Sequence, residues 1–241
     1  MTQKIAYGAD PAQFAEWTPV SRARGVVVVI HGGYWRAAYD LALGRPLARD
    51  LVARGWSVLN LEYRRVGNGG GFPETFDDVA AAIDLLAELP EVDPAGPVVA
   101  LGHSAGGHLA AWAAARGRFG WPERVAVTAV LSQAGLLDLG EAARAGLSGG
   151  AVEELLGEQP IDARVDPVQQ VPLGVPIWCV HARDDVDVPF DQAQRYVAAA
   201  KAAAARAELV EVDGGHFDLI DPCSSAWAAV IQVLENAAAP D

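Results

Sequence analysis

One stretch of the chain limits its fold more than any other. The apolar residues 97–101 end at Gly102, and a helix-like run begins after Gly106, so that Ser104 lies on a turn between a strand and a helix. A Cβ at either glycine would hinder the close approach of the two elements. The pattern predicts a serine hydroxyl exposed above a sheet edge, beside the positive end of a helix and the N–H of Ala105.

Apolar, β-branched runs alternate with helix-like segments along the rest of the chain. We expect strands at 26–30, 56–63, 97–101, 125–131, 175–181 and 208–212, and helices at 41–54, 73–89, after 106, 190–206 and 222–236. Continuous β-branched runs are typical of strands buried on both faces. The order predicts an α/β fold with a mostly parallel, doubly wound sheet and helices on both faces. Residues 1–24 are expected to be a surface lead-in, and the irregular segment 138–172 a small cap.

Composition restricts the number of domains and the class of partner. With 241 residues, 51% of them hydrophobic, the chain is expected to form one domain over residues 1–241. A net charge of −13 argues against nucleic acid and anionic membranes as partners. The N-terminus lacks an apolar signal-peptide core, and no window approaches ~18 apolar residues, which favours a cytoplasmic protein. The sequence is compatible with a homodimer but does not determine the oligomeric state.

Neither the cysteines nor the glycine-rich segments indicate a metal or a cofactor. Cys179 lies in an apolar, strand-like run and Cys223 in a loop-like one, so we expect both thiols to be unpaired and Cys179 to lie in the core. Residues 67–71 form a Gly-Asn-Gly-Gly-Gly stretch that lacks the Lys-Ser/Thr ending of a phosphate-binding loop. A surface loop is the expected structure there.

A serine hydroxyl becomes a strong nucleophile only when a base takes its proton and an acid orients that base. Among the five histidines, His216 follows Asp213-Gly214-Gly215 just after the last expected strand, where a side chain can reach across to Ser104. We therefore expect His216 to be the general base. His181, at a strand end, is expected to have a structural, hydrogen-bonded role.

The acid is expected in the loop that follows the strand at 175–181. Asp184, Asp185 and Asp187 lie there, at the carboxyl end of a strand, where sites on open α/β sheets collect. One of these carboxylates should be buried against the histidine, and the others should be solvated.

Donors for an oxyanion are expected in residues 31–35, His-Gly-Gly-Tyr-Trp, directly after the first buried strand. Glycines let the backbone approach a substrate, so the N–H groups of Gly33 and Tyr34 can act together with that of Ala105. Each such donor lowers a barrier by roughly 3 kcal/mol. An ordinary strand-ending turn is the alternative interpretation.

These motifs resemble those of a known family. Residues 31–35 match an oxyanion motif in which Tyr-Trp follows His-Gly-Gly, residues 62–64 resemble a Tyr-Arg pair after the next strand, and residues 102–106 match the serine turn. From Gly25 onward the chain is similar to the α/β-hydrolases. Within that fold it resembles the hormone-sensitive-lipase-like esterases and especially the arylformamidase (kynurenine formamidase) branch. The acid loop of such hydrolases has an aspartate, two residues and then Val-Pro, which Asp185 fits.

The resemblance implies a serine hydrolase that cleaves a small amide or ester through an acyl-enzyme, without metal or cofactor. Ser104 would attack, His216 would relay the proton and Asp185 would orient His216. Trp35 and Phe217 are expected to line the substrate pocket, and aromatic residues there favour N-formylkynurenine-type aryl formamides. The alternatives are a general carboxylesterase acting on short acyl esters and a non-catalytic binding protein, although such proteins usually lose the serine or the histidine.

Overall fold

Eight strands form one sheet in the order β1-β2-β4-β3-β5-β6-β7-β8 in the computed structural model, which describes residues 1–237. The strands are β1 (Gln3–Ala6), β2 (Phe14–Thr18), β3 (Val26–Ile30), β4 (Ser57–Leu61), β5 (Val98–His103), β6 (Ala129–Gln133), β7 (Ile177–Ala182) and β8 (Ala207–Val212). Strands β3 to β8 are parallel, whereas β1 and β2 are antiparallel to their neighbours. The expected mostly parallel α/β sheet is confirmed.

Helices cover both faces of this sheet. They are α1 (Arg45–Ala53), α2 (Glu74–Asp84), α3 (Ala105–Ala113), α4 (Leu139–Arg144), α5 (Ala151–Leu156), α6 (Asp191–Ala202) and α7 (Ser225–Ala237). Val27 and Val29 pack in one core with α1 and α7, whereas Val28 and Ile30 pack in another with α2 and α3. Because β3 is buried on both faces, its sequence is uniformly apolar rather than alternating.

The first 24 residues contribute more than a surface lead-in. They form β1 and β2, which extend the sheet beyond β4. In β2 the buried residues Ala15 and Trp17 alternate with half-exposed Phe14, Glu16 and Thr18, the period of a strand buried on one face. The run holds only two buried and three half-exposed residues between Pro11 and Pro19, so its alternation is too short to predict a strand.

Two further elements have different bounds from those that their hydrophobic pattern predicts: one strand begins later and one helix ends earlier. The strand expected from 125 begins only at Ala129, because Asp84 holds the backbone N–H groups of Arg124 and Val125 at 3.1 Å each. The buried Arg116 in turn donates to Asp84 at 2.8 Å. The same aspartate lies at the end of α2, whose last expected turn becomes a 3-10 turn at Leu85–Glu88.

The segment 138–172 contains α4 and α5 and contacts the loop that follows β3. Arg36 of that loop donates to Glu154 at 2.7 Å and to the Ser148 hydroxyl at 2.9 Å. Its function as a cap remains a prediction. None of the helices between residues 1 and 237 is both long and apolar enough to cross a bilayer.

Candidate active site

Ser104 occupies the strained turn that its glycines predict. Its backbone has φ 56° and ψ −121°, a left-handed conformation that costs energy for a residue with a Cβ. A Cβ on Gly102 would lie 2.0 Å from the carbonyl oxygen of Gly106, and a Cβ on Gly106 would lie 2.0 Å from that of Ile30. Strands β3 and β5 therefore meet the first turn of α3 too closely for any residue but glycine.

The structure brings the expected acid and base into contact. His216 Nδ1 lies 2.7 Å from Asp185 Oδ2, and both side chains are buried. The other carboxylate oxygen, Oδ1, accepts the backbone N–H groups of Asp187 and Val188 at 2.9 Å each. Since a carboxylate can only accept hydrogen bonds, His216 carries a proton on Nδ1 and presents Nε2 as the basic atom.

A second histidine also faces Asp185. His181 Nε2 lies 2.9 Å from the carbonyl oxygen of Val188 and 3.3 Å from Asp185 Oδ2, so it donates towards two acceptors. Burial alone would raise the pKa of Asp185, but hydrogen bonds from His181, His216 and the N–H of Val188 outweigh it and hold that pKa well below its ordinary value. Asp185 is therefore a fixed negative charge. His181, for which a structural role is expected, is one of the groups that stabilise this charge.

His103, the residue before the serine, binds the backbone of the loop that carries His216. Its Nε2 donates to the backbone carbonyl of His216 at 2.9 Å, and the two rings lie 4.4 Å apart between centroids. Burial, reinforced by the charge that His216 can carry, lowers the pKa of His103 to about 3. His103 therefore stays neutral and holds the His216 loop without competing for the proton.

Two neutral buried histidines should make the fold sensitive to acid. Burial lowers the pKa of His108 to about 4 and that of His103 to about 3, whereas both bind a proton near 6.5 in the unfolded chain. The unfolded state then holds more protons below pH 6.5, so stability falls as the pH is lowered from 6.5 towards 4. At pH 5 we expect a loss of about 2 kcal/mol per histidine in the free energy of unfolding.

Urea unfolding at pH 7.5 and pH 5.0 measures this loss, with His108→Gln as the matched variant. His108 Nε2 donates to the carbonyl of Val165 at 2.8 Å, and a glutamine amide can also donate. The variant should lose less stability between the two pH values than the wild type does. Equal losses in both proteins would show that His108 does not titrate on unfolding.

The loop after β3 lies directly against the serine. A Cβ on Gly32 would lie 2.9 Å from Ser104 Cβ and 2.7 Å from the carbonyl oxygen of His103. Gly33 and Tyr34 have φ values of 115° and 50°. Within residues 1–237 the N–H groups of Gly33, Tyr34 and Ala105 have no hydrogen-bond acceptor, and the helix that Ala105 opens directs its positive end to the same place.

The side chain of Tyr34 ties this loop to the acid loop. Its hydroxyl donates to the backbone carbonyl of Asp187, and burial raises the pKa of Tyr34 to about 12. The contact joins the loop of the candidate oxyanion donors to the loop that carries the candidate acid. The same hydrogen bond helps to hold Tyr34 at φ 50°, a left-handed conformation that is unusual for an aromatic residue.

Trp35 does not line the pocket, and that expectation is wrong. Its ring is 0% exposed and packs edge-on against His108, with 5.1 Å between centroids. Its backbone, at φ 56°, turns the side chain into the core, so the tryptophan anchors the loop instead. The second expected pocket residue, Phe217, is 55% exposed and lies at the cavity.

The cavity at the serine has a volume of about 50 Å³. It is lined by Gly33, Tyr34, Tyr39, Leu43, His103, Ser104, Asp187, His216 and Phe217. No hydrogen bond joins Ser104 Oγ to His216 in the part of the chain that the structure describes, and such bonds often tighten only when substrate binds. A groove of about 380 Å³ beside β2, β4 and α1 is larger, but neither a serine nor a histidine lines it.

The sequence analysis missed Glu62, which lies under the oxyanion loop. Its Oε1 accepts His31 Nε2 at 3.0 Å and lies 3.2 Å from the guanidinium of Arg65, while its Oε2 accepts the N–H of Leu41 at 3.1 Å. Burial opposes its ionisation, yet hydrogen bonds from His31 and from the N–H groups of Tyr63 and Leu41 hold the pKa of Glu62 below its ordinary value. Tyr63 stacks on His31 at 4.4 Å and donates to its carbonyl at 2.9 Å. The sequence feature that could have indicated Glu62 is its position as an acidic residue directly after the apolar strand β4.

The two cysteines lie where the sequence predicts them. Cys179 is buried in β7 and Cys223 is exposed, and neither forms a disulfide in the described residues. Burial raises the pKa of the Cys179 thiol, which makes it a poor nucleophile. Neither cysteine is among the described residues that line the cavity at Ser104.

A serine hydroxyl and a carboxylate-bound histidine share one cavity at the carboxyl edge of this sheet, and the chain is accordingly a serine hydrolase of the α/β-hydrolase fold. The family model named BD-FAE matches residues 18–199, so the chain belongs to the BD-FAE family. A comparison with curated proteins found no match.

Solved structures show the same fold over nearly the whole chain. A truncated carbohydrate esterase from gut microbiota has a TM-score of 0.79 at 20% identity, covering 99% of this chain and 96% of that one. Esterase Est2 of the planctomycete Thermogutta terrifontis has a TM-score of 0.78 at 25% identity, covering 98% and 90%. Its form phosphoramylated by tabun has a TM-score of 0.80 at 25% identity, covering 98% and 92%.

Proposed function

We propose that the protein is a carboxylesterase that hydrolyses esters of short-chain carboxylic acids. The observation that carries this proposal is a cavity of about 50 Å³ that holds the serine, the histidine and the oxyanion loop together. Pockets for drug-sized ligands measure roughly 300–1,000 Å³, so this one has room for a small acyl group only.

The arrangement supports acyl transfer in two halves. Ser104 Oγ attacks the ester carbonyl carbon while His216 Nε2 takes the hydroxyl proton. The N–H groups of Gly33, Tyr34 and Ala105 stabilise the oxyanion of the tetrahedral intermediate. The intermediate collapses as His216 returns the proton to the leaving alcohol, which leaves an acyl-serine.

Water completes the reaction in the second half. His216 takes a proton from the water as it attacks the acyl carbon, and it then protonates Ser104 Oγ as the acid leaves. Asp185 remains ionised throughout, because four donors converge on its two oxygens. It holds the proton on His216 Nδ1 and stabilises the imidazolium that forms in each half.

The similar structures support a short acyl chain. The Thermogutta terrifontis Est2 was solved with butyrate bound and with propionate bound, at 23% and 25% identity to this chain. An aryl formamide is the second candidate substrate, because formyl is the smallest acyl group and the exposed ring of Phe217 lies at the cavity. The names of these similar structures refer to esterases and give no support for a formamide.

A substrate series tests both candidates. We would measure kcat/KM for p-nitrophenyl acetate, butyrate and octanoate, and for N-formyl-L-kynurenine. The proposal expects the octanoate to be at least about 10-fold poorer than the acetate, since about 1.4 kcal/mol of steric cost suffices for that ratio. Octanoate turned over as well as acetate would overturn the short-chain assignment. A formamide preferred over acetate would identify a formamidase instead.

A further inference from the structure

Asp187 places an unpaired carboxylate at the mouth of the cavity. One of its carboxylate oxygens lies within 4.8 Å of a ring nitrogen of His216 and of the Asp185 carboxylate. Its side chain is exposed and forms neither a hydrogen bond nor an ion pair with any residue from 1 to 237. Its backbone is held on both sides, since the N–H donates to Asp185 at 2.9 Å and the carbonyl accepts the hydroxyl of Tyr34.

Two aromatic rings complete this mouth. Tyr39 and Phe217 line the cavity and are 46% and 55% exposed, although large apolar side chains in this protein are mostly buried. Neither lysine nor arginine lines the cavity. Arg36, which follows the oxyanion loop, is bound to Glu154 and Ser148, so it does not offset the charge of Asp187.

The carboxylate lies on the side of the leaving group. His216 must protonate the departing alcohol, so that part of the substrate has to lie against its ring. Phe217 packs against the same ring, with 5.3 Å between centroids, and Asp187 is the other neighbour at the mouth. An acyl group attached to Ser104 would be held by the oxyanion donors of Gly33, Tyr34 and Ala105, so the alcohol part is the part of the substrate that must approach His216.

We propose that this mouth selects esters whose alcohol part carries a cationic ammonium group. This inference rests on the proposed esterase function. A carboxylate and exposed aromatic faces are the groups that bind ammonium ions, through ion pairing and cation–π attraction. A neutral apolar alcohol would cover the carboxylate without giving it a partner, which is unfavourable. Asp187 is thus a specificity-determining residue for the leaving group.

A pair of isosteric esters isolates the charge. Acetylcholine and 3,3-dimethylbutyl acetate have the same shape, and only the first is cationic. We expect the wild type to prefer acetylcholine by about 10-fold or more in kcat/KM, the ratio that about 1.4 kcal/mol of differential binding gives. Asp187→Asn should lower this ratio by about the same factor, towards the ratio that the intrinsic reactivities of the two esters set. Any effect of Asp187 on His216 itself applies to both esters and cancels in the ratio.

Asp184→Asn is the matched control. It removes the same charge from the same loop, but Asp184 is exposed and does not line the cavity. Its ratio should stay within about twofold of the wild-type ratio, because an exposed charge farther from the substrate is screened. A wild-type ratio near one, or a preference that survives Asp187→Asn, would overturn the inference.

Two further substrates separate the other outcomes. Glyceryl monoacetate preferred over acetylcholine, with that preference lost in Asp187→Asn, would assign the carboxylate to hydroxyl groups and refute a cationic substrate. p-Nitrophenyl acetate reports the esterase reaction itself. If the wild type hydrolyses it without discriminating between the isosteric esters, only the charge preference fails; if the wild type does not hydrolyse it, the proposed function fails as well.

Discussion

Replacement of Ser104 by alanine should lower kcat for p-nitrophenyl acetate by a factor on the order of 10⁶, because Ser104 is the one serine, threonine or cysteine among the described residues that line the cavity. The fold should be unaffected. Ser104 Oγ has no hydrogen-bond partner within residues 1–237, and alanine meets the same backbone strain as serine. Steady-state kinetics with the purified variant, alongside its urea unfolding curve, measures both expectations.

A covalent probe makes this test independent of substrate choice. An organophosphate of the type that modifies the Thermogutta terrifontis esterase should add to the wild type at the peptide that contains Ser104, as seen by mass spectrometry. It should not add to Ser104→Ala. A variant that retains the wild-type rate, or a label on another residue, would show that the nucleophile lies elsewhere. Lack of both hydrolysis and labelling in the wild type would favour a non-catalytic binding protein.

The parts of the site that the sequence predicts are those encoded in short local patterns. Gly102, Ser104 and Gly106 lie within five residues and define a turn, and a Cβ added to either glycine would lie 2.0 Å from a backbone oxygen, which shows why glycine is required. The loop after β3 is similar, since its glycines follow a continuous β-branched strand. A parallel sheet then places the ends of β3, β5, β7 and β8 on one edge.

The parts that sequence analysis missed depend on contacts between distant residues. Trp35 is adjacent to the oxyanion donors, but its direction is set by His108 of α3, more than 70 positions away. Glu62 pairs with His31 across two neighbouring strands, and nothing in either local pattern shows that pairing. The choice among Asp184, Asp185 and Asp187 rested on a family pattern, and the contact of Asp185 with His216 agrees with that choice.

His103 and His181 show how the surroundings assign a hydrogen-bonding role to each histidine. His103 donates from Nε2 to a carbonyl and is kept neutral by burial, whereas His181 donates from Nε2 towards Asp185 and Val188. Of these three neighbouring histidines in the described chain, His216 is the one with Nδ1 held by a carboxylate and its ring at the cavity. Three histidines therefore lie close together, and only His216 is placed to exchange a proton with substrate.

Asp185→Asn should lower kcat by a factor of about 10⁴, through the wrong tautomer of His216. In the wild type, Oδ1 of Asp185 accepts two backbone N–H groups. In the variant, the amide oxygen of asparagine must take the place of Oδ1, because the amide NH₂ cannot accept them. The amide NH₂ would then face His216 Nδ1, which would have to accept a hydrogen bond. The proton would move to Nε2, and His216 could no longer take the proton of Ser104.

The kinetics and the tautomer can be measured separately. Nitrogen NMR of His216 should show protonation at Nδ1 in the wild type and at Nε2 in Asp185→Asn, and kcat for p-nitrophenyl acetate should fall in the variant while Asp184→Asn keeps the wild-type value. If Asp185→Asn retains more than about a tenth of the wild-type rate, Asp185 does not hold the tautomer. Asp187, within 4.8 Å of the same ring, would then be the acid, and its asparagine variant would show the larger loss.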